Sequence, residues 1–229
     1  PNPYYTDDVA EICMKDIFLP TMNAMNAEGR TFKGCLYFGL MITPNGPKVI
    51  EYNCRFGDPE TQVVLPLLES DLFTVMKATT EGTLAETDVK FADKHACCVI
   101  MASKGYPENY ENGFEIVIPD EISDSVYVAG AKRTDEKLLS AGGRVLGVTA
   151  VADTLKDAID CAYAKVKTIK FDNAFYNNEI YFQDYFGNYF TLKDSADPEG
   201  LNDFLKFQEA VDTLGYLLAQ KGVWSEIDK

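Results

Sequence analysis

The sequence has no Cys-x-x-Cys pair and a single histidine, is short of basic residues, and lacks any apolar run near the roughly 20 residues a membrane span requires. Cys13, Cys35, Cys54, Cys97, Cys98 and Cys161 are scattered through apolar stretches, two of them adjacent, which suits neither a zinc site nor a disulfide framework. They are expected to be reduced, mostly buried thiols. His95 precedes an apolar stretch without a Cys or acidic partner at a useful spacing, so no Ser-His-Asp or Cys-His arrangement can be built on it and its expected role is structural. No basic-then-apolar leader opens the chain, and a cytoplasmic protein without membrane contact is expected. Lys plus Arg number 21 against 36 Asp plus Glu, a formal charge of −15. That balance excludes a broad basic surface for nucleic acid, and any anionic ligand must be held by a few focused cations or a metal ion. Repeats and low-complexity tracts are also missing. The chain opens at Pro1 rather than methionine and is expected to be part of something longer.

What is present is a globular composition, 46% hydrophobic, 12% aromatic and 25% charged over 229 residues. One or two packed domains follow, burying roughly 70 to 75% of the surface an unfolded chain exposes. Val9, Ile12, Cys13, Ile17, Leu19 and Met22 recur at helical spacing over 7–28, with Thr6 or Asp7 as N-cap, Gly29 as the stop and Pro20 as a bend or interruption. Residues 32–43 and 49–54 read as an antiparallel hairpin around Pro44-Asn45-Gly46-Pro47. Helical patterning returns over 61–81 with a break near Glu69-Ser70, and a domain boundary falls near 90–94. Strands are expected at 96–102, 115–118, 125–129 and 144–150 and a helix at 154–168, an α+β module. Residues 181–190 are aromatic and ambiguous, and an amphipathic helix is expected to carry Leu201, Phe204, Leu205, Val211, Leu214, Leu217 and Leu218.

The densest polar cluster is the run 51–60, Glu-Tyr-Asn-Cys-Arg-Phe-Gly-Asp-Pro-Glu. Strand alternation sends Glu51, Asn53 and Arg55 to one face. A carboxylate and an amide carbonyl two residues apart are hard oxygen donors that can flank one Mg²⁺, with phosphate oxygens and water completing its shell. Arg55 could clamp a phosphate or carboxylate. The competing reading is a solvated hairpin face. Asp58 either holds an ammonium group or hydrogen-bonds its own turn, and Glu60 suits a first helical turn. Ser140-Ala141-Gly142-Gly143 before Arg144 reads either as a hairpin turn or as a phosphate-contacting loop, and Lys104-Gly105-Tyr106-Pro107 is open in the same way.

Tyr37-Phe38-Gly39-Leu40-Met41, followed by Val-Ile-Glu-Tyr-Asn-Cys-Arg-Phe-Gly-Asp-Pro-Glu-Thr-Gln at 49–62, resembles the phosphoribosylamine–glycine ligase (glycinamide ribonucleotide synthetase) family of ATP-grasp enzymes in purine biosynthesis. The likeness runs in order through Ser70-Asp71-Leu72, Lys104-Gly105-Tyr106-Pro107, Ala129-Gly130-Ala131-Lys132 and Gly142-Gly143-Arg144-Val145-Leu146, covering about residues 1–176. It implies an α+β fold: the second part of an ATP-grasp fold, an antiparallel sheet with helices at 1–93, then a small α+β domain at 94–180 and an extension at 181–229. It also implies ATP and Mg²⁺ or Mn²⁺ as cofactors, with the metal on Glu51 and Asn53, Arg55 beside the reacting group and Asp58 near glycine. The substrates would be glycine, 5-phosphoribosylamine and ATP. The part of the ATP-grasp fold that closes over the nucleotide has no counterpart in this sequence, so this segment alone is expected to be inactive and to need that missing N-terminal half as partner. Tyr176-Asn177-Asn178-Glu179-Ile180-Tyr181 lacks the arginine and glycine the family places there, and 182–229 has no recognised counterpart. Another ATP-grasp carboxylate–amine ligase and a non-catalytic binding module stay open as alternatives.

Overall fold

The structure, a computed structural model, describes residues 5–176, 181–183 and 189–191. The helix expected over 201–218 lies outside them. The chain divides into two compact units. One includes the residues up to Glu60, Leu68–Ala92 and the described residues beyond 178, and the other holds Thr61–Leu67 and residues 93–178.

In the first unit, the expected N-terminal helix is α1 (Asp7–Cys13), a π-helical turn (Met14–Phe18) and α2 (Leu19–Ala27). Thr6 caps it by accepting from the Val9 N–H, and Gly29 ends it at φ 70°. The wide turn answers Pro20, whose ring has no N–H and would strike the carbonyl four residues back in a regular helix. Here the Leu19 N–H reaches the Met14 carbonyl instead. The hairpin follows as β1 (Tyr37–Thr43) and β2 (Gly46–Asn53). Pro44 and Asn45 make its turn, and Gly46 takes the left-handed conformation at φ 85° that the turn needs. Phe18, Phe38 and Leu40 are buried together with Cys13, Met22 and Leu36, and the Phe18 and Phe38 rings lie 4.6 Å apart.

The segment expected as one broken helix is divided by the unit boundary. α3 (Thr61–Val64) belongs to the second unit, while α4 (Leu72–Glu81) is capped by Asp71, which accepts from the Thr74 N–H at 2.7 Å, and stops at left-handed Gly82.

In the second unit, β3 (His95–Ser103) opens a set of short strands: β4 (Glu115–Val117), β5 (Val126–Val128), β6 (Ala131–Arg133) and β7 (Leu138–Ser140). Then come β8 (Arg144–Ala152), α5 (Leu155–Val166), β9 (Lys170–Phe171) and β10 (Ala174–Phe175). They form two antiparallel sheets of order β10-β3-β8-β5 and β6-β7-β4-β9. α5 buries Ala158, Ala162 and Val166, spaced one helical turn apart, against β3 and β8. On another face of β8 the Thr149 hydroxyl donates to the Gln62 carbonyl at 3.1 Å, which ties α3 to the sheet. Grouped with the first unit instead, the ambiguous aromatic segment contains β11 (Tyr181–Gln183) paired antiparallel with β12 (Tyr189–Thr191).

All six cysteines are free, as expected, but not mostly buried: Cys13 is buried, Cys54 and Cys161 are exposed and the others are intermediate. Cys54 directly follows the end of β2, and Cys161 lies off the α5 face that buries Ala158, Ala162 and Val166, so neither is covered by a core. Burial, and then the nearby Cys97 thiol, push the Tyr163 phenol up from 10.0 to about 12. The folded chain therefore keeps a proton that the unfolded chain loses, so stability is full below about pH 10 and falls between about pH 10 and about pH 12. Urea midpoints across that range should decline, and Tyr163→Phe should flatten the decline; an unchanged slope contradicts the assignment.

Candidate functional site

β2 carries the polar cluster because its partner strand turns an apolar face inward. Phe38 and Leu40 are buried, and Tyr52 meets Phe38 edge-on at 5.2 Å on that face. Glu51 pairs with Gly39, and Asn53 with Tyr37, on the opposite face. There the Asn53 Nδ2 donates to Glu51 Oε1 at 3.2 Å. The bond fixes the amide so that its carbonyl oxygen remains an acceptor beside the carboxylate.

β2 ends at Asn53, and Arg55 lies beyond it, donating from a guanidinium nitrogen to the Phe56 carbonyl at 2.7 Å. The alternation expected to carry Arg55 onto the Glu51 face thus has no strand left to act through. The structure brings Glu51 and Asn53 together and leaves Arg55 in the loop next to them in sequence. Asp58 follows in that loop, exposed, with a cis bond to Pro59. Glu60 folds back over buried Gly57 so closely that a side chain at 57 would displace its carboxylate. That close approach explains a glycine within Arg-Phe-Gly-Asp-Pro-Glu without any need for unusual backbone angles.

Two hard oxygen donors fit a magnesium or manganese ion that keeps water and takes its other ligands from phosphate, the usual arrangement for Mg²⁺ on a nucleotide. They do not amount to a protein-only cage, and among the described residues no group of three or more His, Cys, Asp or Glu could hold a metal. His95 stands at the start of β3 opposite Ala152, its Nδ1 buried without a hydrogen-bond partner among the described residues.

The Ser140–Gly143 stretch is not a hairpin turn, because β7 and β8 belong to different sheets. It is a crossing point. Ser103, fully buried, donates its hydroxyl to the Gly142 carbonyl at 2.9 Å, and its N–H to the Gly143 carbonyl at 2.8 Å. A carbon added to Gly142 would lie 2.9 Å from the Gly130 Cα, and one added to Gly143 would strike the Tyr106 ring. Close packing thus accounts for glycines in three of the motifs singled out in the sequence, and that convergence was invisible along the chain.

The comparisons place this α+β chain in the ATP-grasp class. The model of the phosphoribosylglycinamide synthetase ATP-grasp (A) domain matches residues 1–61, and that of the same enzyme's C domain matches 96–182. Together they take in more than half of the chain, which belongs to the phosphoribosylglycinamide synthetase family. It is 44% identical over 181 residues to the phosphoribosylamine–glycine ligase of Caldanaerobacter subterraneus subsp. tengcongensis, covering 79% of this chain and 43% of that one. The ligase of the same name from Clostridium acetobutylicum is 43% identical over 180 residues. A bifunctional purine biosynthetic protein of Pichia angusta is 44% identical over 184 residues, 23% of its length. Among solved structures, phosphoribosylamine–glycine ligase from Thermotoga maritima matches with a TM-score of 0.55 and 33% identity, over 62% of this chain and 35% of that one. The chain spans less than half the length of the bacterial ligases it matches. The C-domain match runs through the 176–181 segment, where the arginine and glycine are absent.

Proposed function

We propose that this chain is the carboxy-terminal portion of a cytoplasmic phosphoribosylamine–glycine ligase that joins glycine to 5-phosphoribosylamine at the expense of ATP. Residues 1–93 then form the second ATP-grasp subdomain, with 61–67 packing in the following unit, 94–180 the family's C-terminal domain and 181–229 an extension. The observation that carries the reading is the Glu51–Asn53 pair, hydrogen-bonded on the hairpin face away from the core and leading into the Arg55–Glu60 loop.

In the reaction, a glycine carboxylate oxygen attacks the γ-phosphorus of ATP and ADP leaves. The amine of phosphoribosylamine then attacks the resulting acyl phosphate, losing a proton and expelling inorganic phosphate as the amide forms. Glu51 and Asn53 would hold a Mg²⁺ or Mn²⁺ ion, which when bound neutralises charge on the ATP phosphates. Arg55 supplies a fixed positive charge that, released from the Phe56 carbonyl, can meet the phosphoryl or carboxylate oxygens, a bond strengthened by charge on both partners. Asp58, exposed in the same loop, offers a carboxylate to the glycine ammonium.

In the complete protein, sustained ADP release over many turnovers should require both glycine and phosphoribosylamine. Release driven equally well by another carboxylic acid would point to a different ATP-grasp ligase, and no substrate-dependent release to a non-catalytic module.

A further inference from the structure

β2 does not alternate strictly. Leu40 faces Val49 and Phe38 faces Tyr52, and all four lie on the side of the hairpin that holds its core. Val49 and Tyr52 are three residues apart, an odd spacing that a regular strand would split between two faces. The ladder accommodates them by skipping Ile50, a bulge between the Gly39–Glu51 and Leu40–Val49 pairs. Counting regularly from Val49, Glu51 would fall on the core side. The extra residue puts it on the other.

On that other face Glu51 stands opposite Gly39, and the approach is tight: a carbon added to Gly39 would lie 2.7 Å from the Glu51 Cγ and no nearer than 3.6 Å to any other atom. Gly39 does not have a left-handed backbone, so conformational freedom does not account for it. The space above its Cα is the path by which the Glu51 side chain leaves the strand toward Asn53.

We propose that Gly39 is a positioning residue for the Glu51 carboxylate: the bulge at Ile50 selects the face, and the missing side chain at Gly39 leaves room for the rotamer that brings Glu51 to Asn53. This rests on the proposed metal-holding role of that pair. An alanine at 39 forces Glu51 to another rotamer, which separates the two oxygen donors while leaving both residues in place.

The test uses the intact ligase with Mn²⁺ as the probe. Gly39→Ala should raise the Mn²⁺ concentration for half-maximal turnover by about tenfold or more, with kcat at saturating Mn²⁺ within about threefold, in the range that displacing the support of a metal ligand costs. Met41→Ala, on the same face opposite Lys48, should leave that concentration unchanged. A readout independent of activity comes from a double-mutant cycle in urea. Any stability lost through Gly39→Ala should be regained in the Glu51→Ala background, where there is no Cγ to collide with. An unchanged Mn²⁺ requirement in Gly39→Ala, or an equal stability loss in both backgrounds, overturns the inference. If Gly39→Ala does not fold, the cycle still decides, because Gly39→Ala/Glu51→Ala must then fold. Intact metal dependence in Glu51→Ala would instead remove the functional reading on which the inference rests.

Discussion

In the complete ligase, Glu51→Ala lowers metal-dependent turnover by at least about 100-fold. Loss of an outer-shell partner of a metal ligand typically costs 10- to 100-fold, and this substitution removes a proposed ligand itself. It also deprives the Asn53 amide of its acceptor, so the remaining oxygen donor loses its fixed orientation. The side chain is exposed and takes no part in the core, so the fold should survive. Circular dichroism and a urea midpoint close to those of the parent protein would separate lost chemistry from lost structure. Turnover within a few-fold of the parent at ordinary Mg²⁺ would refute the assignment.

Phe38→Ala has the largest expected effect on stability. Phe38 is fully buried, with its ring against Phe18 at 4.6 Å and Tyr52 at 5.2 Å. Truncation leaves a cavity between the helix and hairpin, and Phe→Ala at such sites costs about 3–5 kcal/mol. The same ring helps hold β2 in register, so Glu51 and Asn53 should lose order along with the core. Urea denaturation of the first unit measures the effect. A cost below about 1 kcal/mol would mean that the aromatic cluster does not anchor the hairpin.

Much of the first unit was legible in the sequence because its signals are local. Thr6 and Gly29 bound the first helix, and Pro44-Asn45-Gly46-Pro47 marks the hairpin turn between two apolar runs. The π-helical turn was not legible in detail, since Pro20 announces a break without saying how the backbone absorbs it. Nor was the bulge: Val49 and Ile50 are both β-branched and apolar, and nothing along the chain says which one the ladder skips. Arg55 was expected to continue the Glu51–Asn53 alternation, but the strand ends at Asn53, a boundary fixed by pairing with Tyr37 rather than by any residue in β2.

In the second unit, β3, β8 and α5 could be anticipated from long apolar or periodic runs, whereas β6, β7, β9 and β10 span two or three residues each, too few to show a period. The Gly142-Gly143 stretch looked like a turn because sequence adjacency suggested that β7 and β8 pair. Their separation into two sheets is a long-range fact. So is the meeting of Gly142 with Gly130 and of Gly143 with Tyr106.

The most direct test of the account is a crystal structure of the intact ligase with Mn²⁺ and a non-hydrolysable ATP analogue, in which anomalous scattering locates the metal. The account predicts a peak at coordination distance, about 2.0 to 2.2 Å, from a Glu51 carboxylate oxygen and the Asn53 side-chain carbonyl, with phosphate oxygens completing the shell. A nucleotide-bound metal held by other residues, with Glu51 and Asn53 bonded only to each other, would contradict it.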